Sequence, residues 1–198
     1  MRWIGIGVLT LAVALSGCAL LKPSGPPVGR YVITAQPRPE ALPPTPLTLG
    51  LRPLSSARPY HTSMMFLDDA GRLTPYETAE WAELPEAVLT RALTDALDAT
   101  HRFEDVGNAA DMARPDIILT GDIRSYHEDR SVSPAEAVVE LHVAARIAQT
   151  KALVWSGMAV ARVPLASSGA ESLRAAMETA VTQVVTEIAA NTAAKAGV

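Results

Sequence analysis

At 198 residues the chain has room for one compact domain and not for two comfortable ones. Apolar residues make up 48%, enough for a packed core, whereas charged side chains supply 19% and the net charge is -4. That mild acidity, with no cluster of Lys and Arg downstream of the start, argues against a nucleic-acid partner, because phosphate backbones are held by dense basic patches.

The chain opens with a positive Arg2 and an uncharged run from Trp3 to Leu15, the size of a signal-peptide core and too short to span a bilayer. Leu15-Ser16-Gly17-Cys18 follows at once and contains the only cysteine. An apolar residue, two small residues and a cysteine form the cleavage and acylation signature of bacterial lipoproteins. The small side chains admit a peptidase to the backbone, and the thiol takes up diacylglycerol. Residues 1–17 therefore read as a signal peptide and Cys18 as a lipidation site carrying diacylglycerol and an N-acyl chain such as palmitate. Each buried methylene of these chains contributes about 0.8 kcal/mol to membrane attachment. Losing Arg2 with the leader leaves 16 basic against 21 acidic side chains. An acylated Cys18 also leaves no thiol for disulfides, redox chemistry or thiolate zinc, so stability must come from core burial. Ala19, not Asp, follows the cysteine; in a Gram-negative cell this points to the periplasmic face of the outer membrane rather than retention at the inner one.

Residues 18–28 are rich in Pro, Gly and Ser and read as a flexible, lipid-anchored tether, with a single domain over 29–198. Tyr31-Val32-Ile33-Thr34 is a short β-rich run. Pro37, Pro39, Pro43, Pro44 and Pro46 then exclude a helix or a central strand, so Arg38 to Thr45 is expected as an extended surface loop. Leu47, Leu49 and Leu51 alternate with polar or small residues as a half-buried strand does. Tyr60 to Leu67 is a second strand candidate, with turn chemistry at Asp68-Asp69-Ala70-Gly71 and a short return strand at Arg72-Leu73. Pro85 suits the first turn of a helix whose apolar face is Val88, Ala92, Leu93, Ala96 and Leu97, ending near His101-Arg102. Phe103 and Val106 are expected beneath it. Three strands follow, over Ile117 to Tyr126, Ala137 to Ile147 and Leu153 to Val163, the last two paired as an antiparallel hairpin. In the middle strand Val139, Leu141, Val143, Ala145 and Ile147 oppose Glu140, His142 and Arg146. Ser168 and Glu171 have the spacing of a capping box for a final helix. Leu173, Met177, Val181, Val184 and Ile188 form its buried stripe, Arg174, Glu178, Thr182 and Glu187 its outer face, and Ala189 to Val198 is expected to fray. The fold class is α+β: a mixed, mainly antiparallel sheet of about five or six strands, with two main helices packed on one face.

Signatures of catalysis are missing: no G-x-S-x-G, no phosphate loop and no H-E-x-x-H. His127-Glu128-Asp129 has the residue types of a metal or acid–base cluster, yet reads as a solvated strand end. His142 reads as a surface residue, and Asp68-Asp69 lacks the later ligands of a calcium loop. The chain is expected to be no enzyme, with no catalytic residues, no metal site and no cofactor beyond the lipid on Cys18. Tyr76 and Trp81 flank Glu77 and Glu80 just before the first helix; they are candidates for partner contact or, for Trp81 above all, for the core.

A set of motifs runs in order along the chain: the lipobox, Tyr31-Val32-Ile33, and Leu47-Thr48-Leu49-Gly50 before Tyr60. Leu73-x-x-Tyr76-x-x-x-x-Trp81-Ala82-x-x-Pro85 then leads into the helix with Leu93 and Leu97. Phe103-x-x-Val106, Leu119-x-Gly121-x-Ile123 and Val154-Trp155-Ser156 complete the set. In this order the chain resembles the ABC-type transport auxiliary lipoproteins, which include the lipoprotein of the paraquat-inducible operon. It departs from them at Gln149-Thr150-Lys151-Ala152, where members often carry a Gly, and that leaves the turn type open. The resemblance implies an accessory to an ATPase, a permease and a periplasmic MCE-domain protein, its partner, moving lipids or other hydrophobic molecules between membranes. The lipoprotein would dock the periplasmic assembly at the outer membrane without hydrolysing ATP. Two other readings stand beside it: a lipid-binding carrier domain, which needs a large apolar cavity, and an envelope-assembly or cell-wall accessory lipoprotein. Cargo, oligomeric state and MCE subtype stay open.

Overall fold

The computed structural model describes residues 26–56 and 60–196. The expected signal peptide, Cys18, Ala19 and most of the tether lie outside the described residues. Among them are nine strands in one sheet and two helices: β1 (Gly29–Tyr31), β2 (Thr48–Leu51), β3 (Ser55–Ser56), β4 (Ser63–Leu67), β5 (Leu73–Trp81), α1 (Pro85–Ala99), β6 (Asp105–Asn108), β7 (Ile117–Asp129), β8 (Glu136–Ile147), β9 (Leu153–Pro164) and α2 (Ala170–Lys195).

The thirteen-residue β7 organises the sheet. Along one side it pairs antiparallel with β8 from end to end, and β8 pairs likewise with β9. Along the other side three short strands dock on it in succession, all parallel: β2 at Ile117–Leu119, β3 at Asp122–Ile123 and β4 at Glu128–Asp129. Beyond β2 lies β6, parallel to it; beyond β4 lie β5, antiparallel, and then β1, parallel to β5. Mainly antiparallel pairing and two helices agree with the pattern of the sequence. The strand number exceeds five or six because β3 and β6, of two and four residues, are too short to carry a periodicity of their own. β5 is longer than the short return strand expected at Arg72-Leu73: it runs through Trp81 and holds Pro75 opposite Met65, outside the stretch that β1 covers.

Val139, Leu141, Val143 and Ala145 of β8 are fully buried on the face that meets α2, and α1 packs against α2. The expected stripe of α2 is buried from Leu173 to Ile188. Gly121 of β7 has no room for a side chain: a Cβ there would sit 2.7 Å from the carbonyl oxygen of His142 and 2.8 Å from Leu54 Cδ2. The proline-rich segment has no regular structure, as expected, but is strapped over the helices. Ile33 enters the core, the Thr34 and Gln36 amides donate to Glu178 and Thr182 of α2, and the Leu42 amide donates to the Thr100 carbonyl.

Three local expectations are corrected. No capping box forms at α2: Gly169, at φ +108°, is the N-cap, so Glu171 lies one position too early and pairs with Arg174 instead. The C-terminal part of α2 does not fray before Lys195; Ala189, Thr192, Ala193 and Ala196 continue the buried face, their small side chains allowing close approach. At the end of α1 the chain turns at Thr100 and enters the left-handed region at His101 (φ +52°), while Arg102 donates to the Pro43 carbonyl rather than completing the helix.

Candidate functional site

The end of β7 gathers the densest set of buried charge in the described molecule, at the His127-Glu128-Asp129 segment expected to be solvated. Glu128 is 2% exposed and Asp129 6%. Both carboxylates are covered because β7 is flanked there on both sides: Glu128 lies beside Phe66 of β4 and Ala137 of β8, and Asp129 beside Leu67 and Glu136. A charge in that position must be paired. Glu128 Oε2 accepts from the Tyr76 hydroxyl and from Arg130 Nη2 at 2.9 Å. The Arg130 guanidinium lies 3.6 Å from the centroid of the Phe66 ring and 5.0 Å from that of Tyr76, and the two rings meet edge to face. Burial and the bond to Glu128 push the Tyr76 phenol up to about 12.

A second pairing adjoins the first. Asp129 Oδ1 accepts from the amide and hydroxyl of Ser131 at 3.0 and 2.5 Å, and Oδ2 from Arg162 Nη1 at 3.1 Å. Burial alone would raise this carboxyl; the bonds from Ser131 and Arg162 outweigh it and hold the group below the usual range. His127 stacks on Tyr60, with its Nδ1 3.0 Å from the Tyr60 hydroxyl, and burial lowers its basicity. Every charge here is committed to a neighbour, which gives the cluster the chemistry of a lock between strands.

On the sheet face away from the helices, His142 stands half-exposed as expected, but in company that the sequence did not suggest. Its Nδ1 lies 3.2 Å from Asp122 Oδ1 and its Nε2 3.2 Å from Ser156 Oγ. The partners belong to β7, β8 and β9, so only the register of the ladders brings them together. The trio has the order of an acid–base–nucleophile relay. The Ser156 hydroxyl, however, donates to the Val143 carbonyl at 3.0 Å, which commits its proton to the backbone. In that arrangement it ties three strands rather than activating a nucleophile.

The other candidates separate. Trp81 is 3% exposed and packs edge to face on Tyr126, at the core beneath the start of α1. Tyr76 is half-buried in the Glu128 cluster. Asp68 accepts from the Ala70 and Arg72 amides, the role of a turn. No group of three or more His, Cys, Asp or Glu among the described residues is placed to hold a metal. Sequence reasoning overlooked Phe66, Arg130 and Arg162. Their one sequence signal is that each lies in or beside a strand candidate, which becomes informative only once the register sets those strands next to His127-Glu128-Asp129. Between sheet and helices the space is filled by Leu93, Leu119, Leu141, Met177 and Val181, none of them exposed.

The model of the family described as ABC-type transport auxiliary lipoprotein component matches residues 31–189. Among solved structures the chain is similar to a Xanthomonas campestris protein of the DUF330 family, at 24% identity and a TM-score of 0.77, over 85% of this chain and 96% of that one. It is also similar to a hypothetical protein from Chlamydia trachomatis, at 11% identity and a TM-score of 0.55, over 77% of this chain and 99% of that one. At these identities the likeness is one of fold. None of the curated proteins compared with the chain matches it.

Proposed function

Because the chain belongs to the ABC-type transport auxiliary lipoprotein family, we propose that it docks the periplasmic part of such a transporter at the outer membrane. The partner in this reading is an MCE-domain protein, and the cargo is a lipid or another hydrophobic molecule. Residues 1–17 direct export, Cys18 carries the acyl chains, Ala19 favours the outer membrane, and residues 18–28 tether the domain over 29–198.

The filled interior is the observation that most favours docking over carriage. A carrier needs a large apolar cavity between its layers, whereas here the layers meet through fully buried side chains. The committed charges around Glu128 and the engaged hydroxyl of Ser156 favour a binding role over a catalytic one. The anchor sets the physics. Ten residues separate Cys18 from Gly29, and fully extended the eleven steps between them reach at most about 40 Å. Confinement to so thin a layer raises the effective concentration near a membrane-bound partner, so a modest protein contact suffices.

Co-purification of the detergent-solubilised full chain from native envelopes tests this reading. Recovery of an MCE-domain protein and its permease is the expected result; recovery of cell-wall synthases instead would favour an envelope-assembly role. Cys18→Ser should leave the thermal melt unchanged and release the protein from acyl-dependent attachment. Continued resistance of that variant to salt washing, with its leader removed, would count against the lipid anchor.

A further inference from the structure

At the end of the sheet opposite Glu128 a cavity of about 580 Å³ opens where α2 runs out over the first turns of β7 and β9. Its apolar wall is Pro46, Leu47, Ile117, Ile147, Val154 and Ala196. Sites for small organic ligands span about 300–1,000 Å³. Ile147 is 41% exposed although it pairs with Ile117 on the inner side of the ladder, so the wall presents apolar surface to whatever enters. The polar groups are few and of both signs: Asp116 and Lys195, with the amide of Gln149.

Asp116 is ionised here. The amide and hydroxyl of Thr48 both donate to its Oδ2 at 2.9 Å and hold it low, while Oδ1 takes no bond among the described residues. The C-terminal carbonyls of the 26-residue α2 add partial negative charge at the same mouth. Lys195 pairs with no carboxylate among the described residues. One carboxylate, one ammonium and an apolar wall match a ligand with an apolar chain and a head group of both signs. A simple anion would meet Asp116 and the helix end, and a simple cation would meet Lys195.

We infer that this cavity binds a single-chain zwitterionic amphiphile, its chain against Ile147 and Val154, its ammonium end toward Asp116 and its phosphate end toward Lys195. The site lies apart from the interior between sheet and helices and stands independently of the docking role, so either can fail alone.

The test uses the full chain in lipid nanodiscs, stripped of the solubilising detergent, with a single-chain phosphocholine bearing a diazirine near the end of its acyl chain; octyl glucoside enters only as a competitor, below its micellar concentration. Photolabelling should saturate with probe and concentrate on residues 147–162 and the last turn of α2. Ile147→Arg should reduce saturable labelling by about tenfold through loss of apolar contact. Val154→Arg should do the same, and the variant read is the one that keeps the wild-type melting profile. Lys195→Glu should weaken the probe by about two- to fivefold, as exposed charge pairs do, without weakening competition by octyl glucoside. Labelling that grows linearly with probe, spreads over the surface or survives both arginine variants would overturn the site. Octyl glucoside competing as well as an unlabelled single-chain phosphocholine, or an inert Lys195→Glu, would overturn the head-group assignment.

Discussion

The two ends of the β7–β8–β9 ladder are built from the same three strands and solve opposite problems. At the Glu128 end the strands carry charge into a covered position, where Arg130 and Arg162 neutralise it and the Tyr76 and Ser131 hydroxyls donate to it. At the Ile117–Ile147 end the ladder carries apolar side chains out past the last turn of α2, and nothing described covers them fully. A buried charge that loses its partner keeps its desolvation cost, whereas an exposed apolar side chain costs little to change. The first end is therefore brittle, and the second is tolerant and open to ligands.

The sharpest way to break this contrast is Glu128→Ala. It strands the Tyr76 hydroxyl and Arg130 together and should cost about 2–3 kcal/mol, less than a fully buried pair because water reaches Arg130, which is 37% exposed. In a chain of this length that is a fall in Tm of about 5–10 °C, read by calorimetry; an unchanged Tm would remove the lock. Alkali probes the same end. The Tyr76 phenol is raised to about 12 in the folded protein from 10.0. Its contribution is thus full below pH 10 and is lost as pH rises toward 12. Denaturant titrations above pH 10 should show a shallower loss of stability in Tyr76→Phe than in the wild type.

Arg162→Ala should cost about 1 kcal/mol at neutral pH, because its partner Asp129 is buried while the guanidinium is half in water. Asp129 is depressed below 3.8, so its contribution is present above that value and is lost as pH falls. Wild type and variant should converge as acid protonates Asp129 in the folded protein, and a gap that persists once that carboxyl is neutral would assign the effect to packing.

The open end should respond in the other direction. Lys151 occupies the left-handed region at φ +63°, where its Nζ donates to the Ala148 carbonyl. This is the hairpin in which relatives were expected to carry Gly. Lys151→Gly relieves the strained conformation and forfeits that bond, for a net gain of about 0.5 kcal/mol in chemical denaturation. Ile147→Arg, the cavity variant, should stay within about 0.5 kcal/mol of wild type, since its side chain already meets solvent.

Legibility followed the range of the signal. The cores of β7, β8 and β9 and the buried stripes of both helices repeat at periods of 2 and 3.6, which any window of the chain contains. Pro85 marked the start of α1 because its missing N–H matters nowhere else so little. β5 was legible only at its start, because Pro75, Glu77 and Glu80 break its alternation further on, and its stability comes from β4 and β1 on either side. Glu128 and Asp129 looked solvated because acids at a strand end usually are. Their burial depends on β4 docking beside them from sixty residues away.

The amino-acid sequence by itself determined the long strands β7, β8 and β9, the two helices and the faces they turn inward, and the order of motifs by which the family is recognised. All of these are carried by residues close together in the chain. Tertiary structure alone decided the parallel docking of β2, β3 and β4 on β7, the pairing of Glu128 with Tyr76 and Arg130, and the placing of Lys195 and Asp116 in the lining of one cavity. Each of those depends on register between distant segments, and register is settled by the packing of the whole core rather than by any local preference.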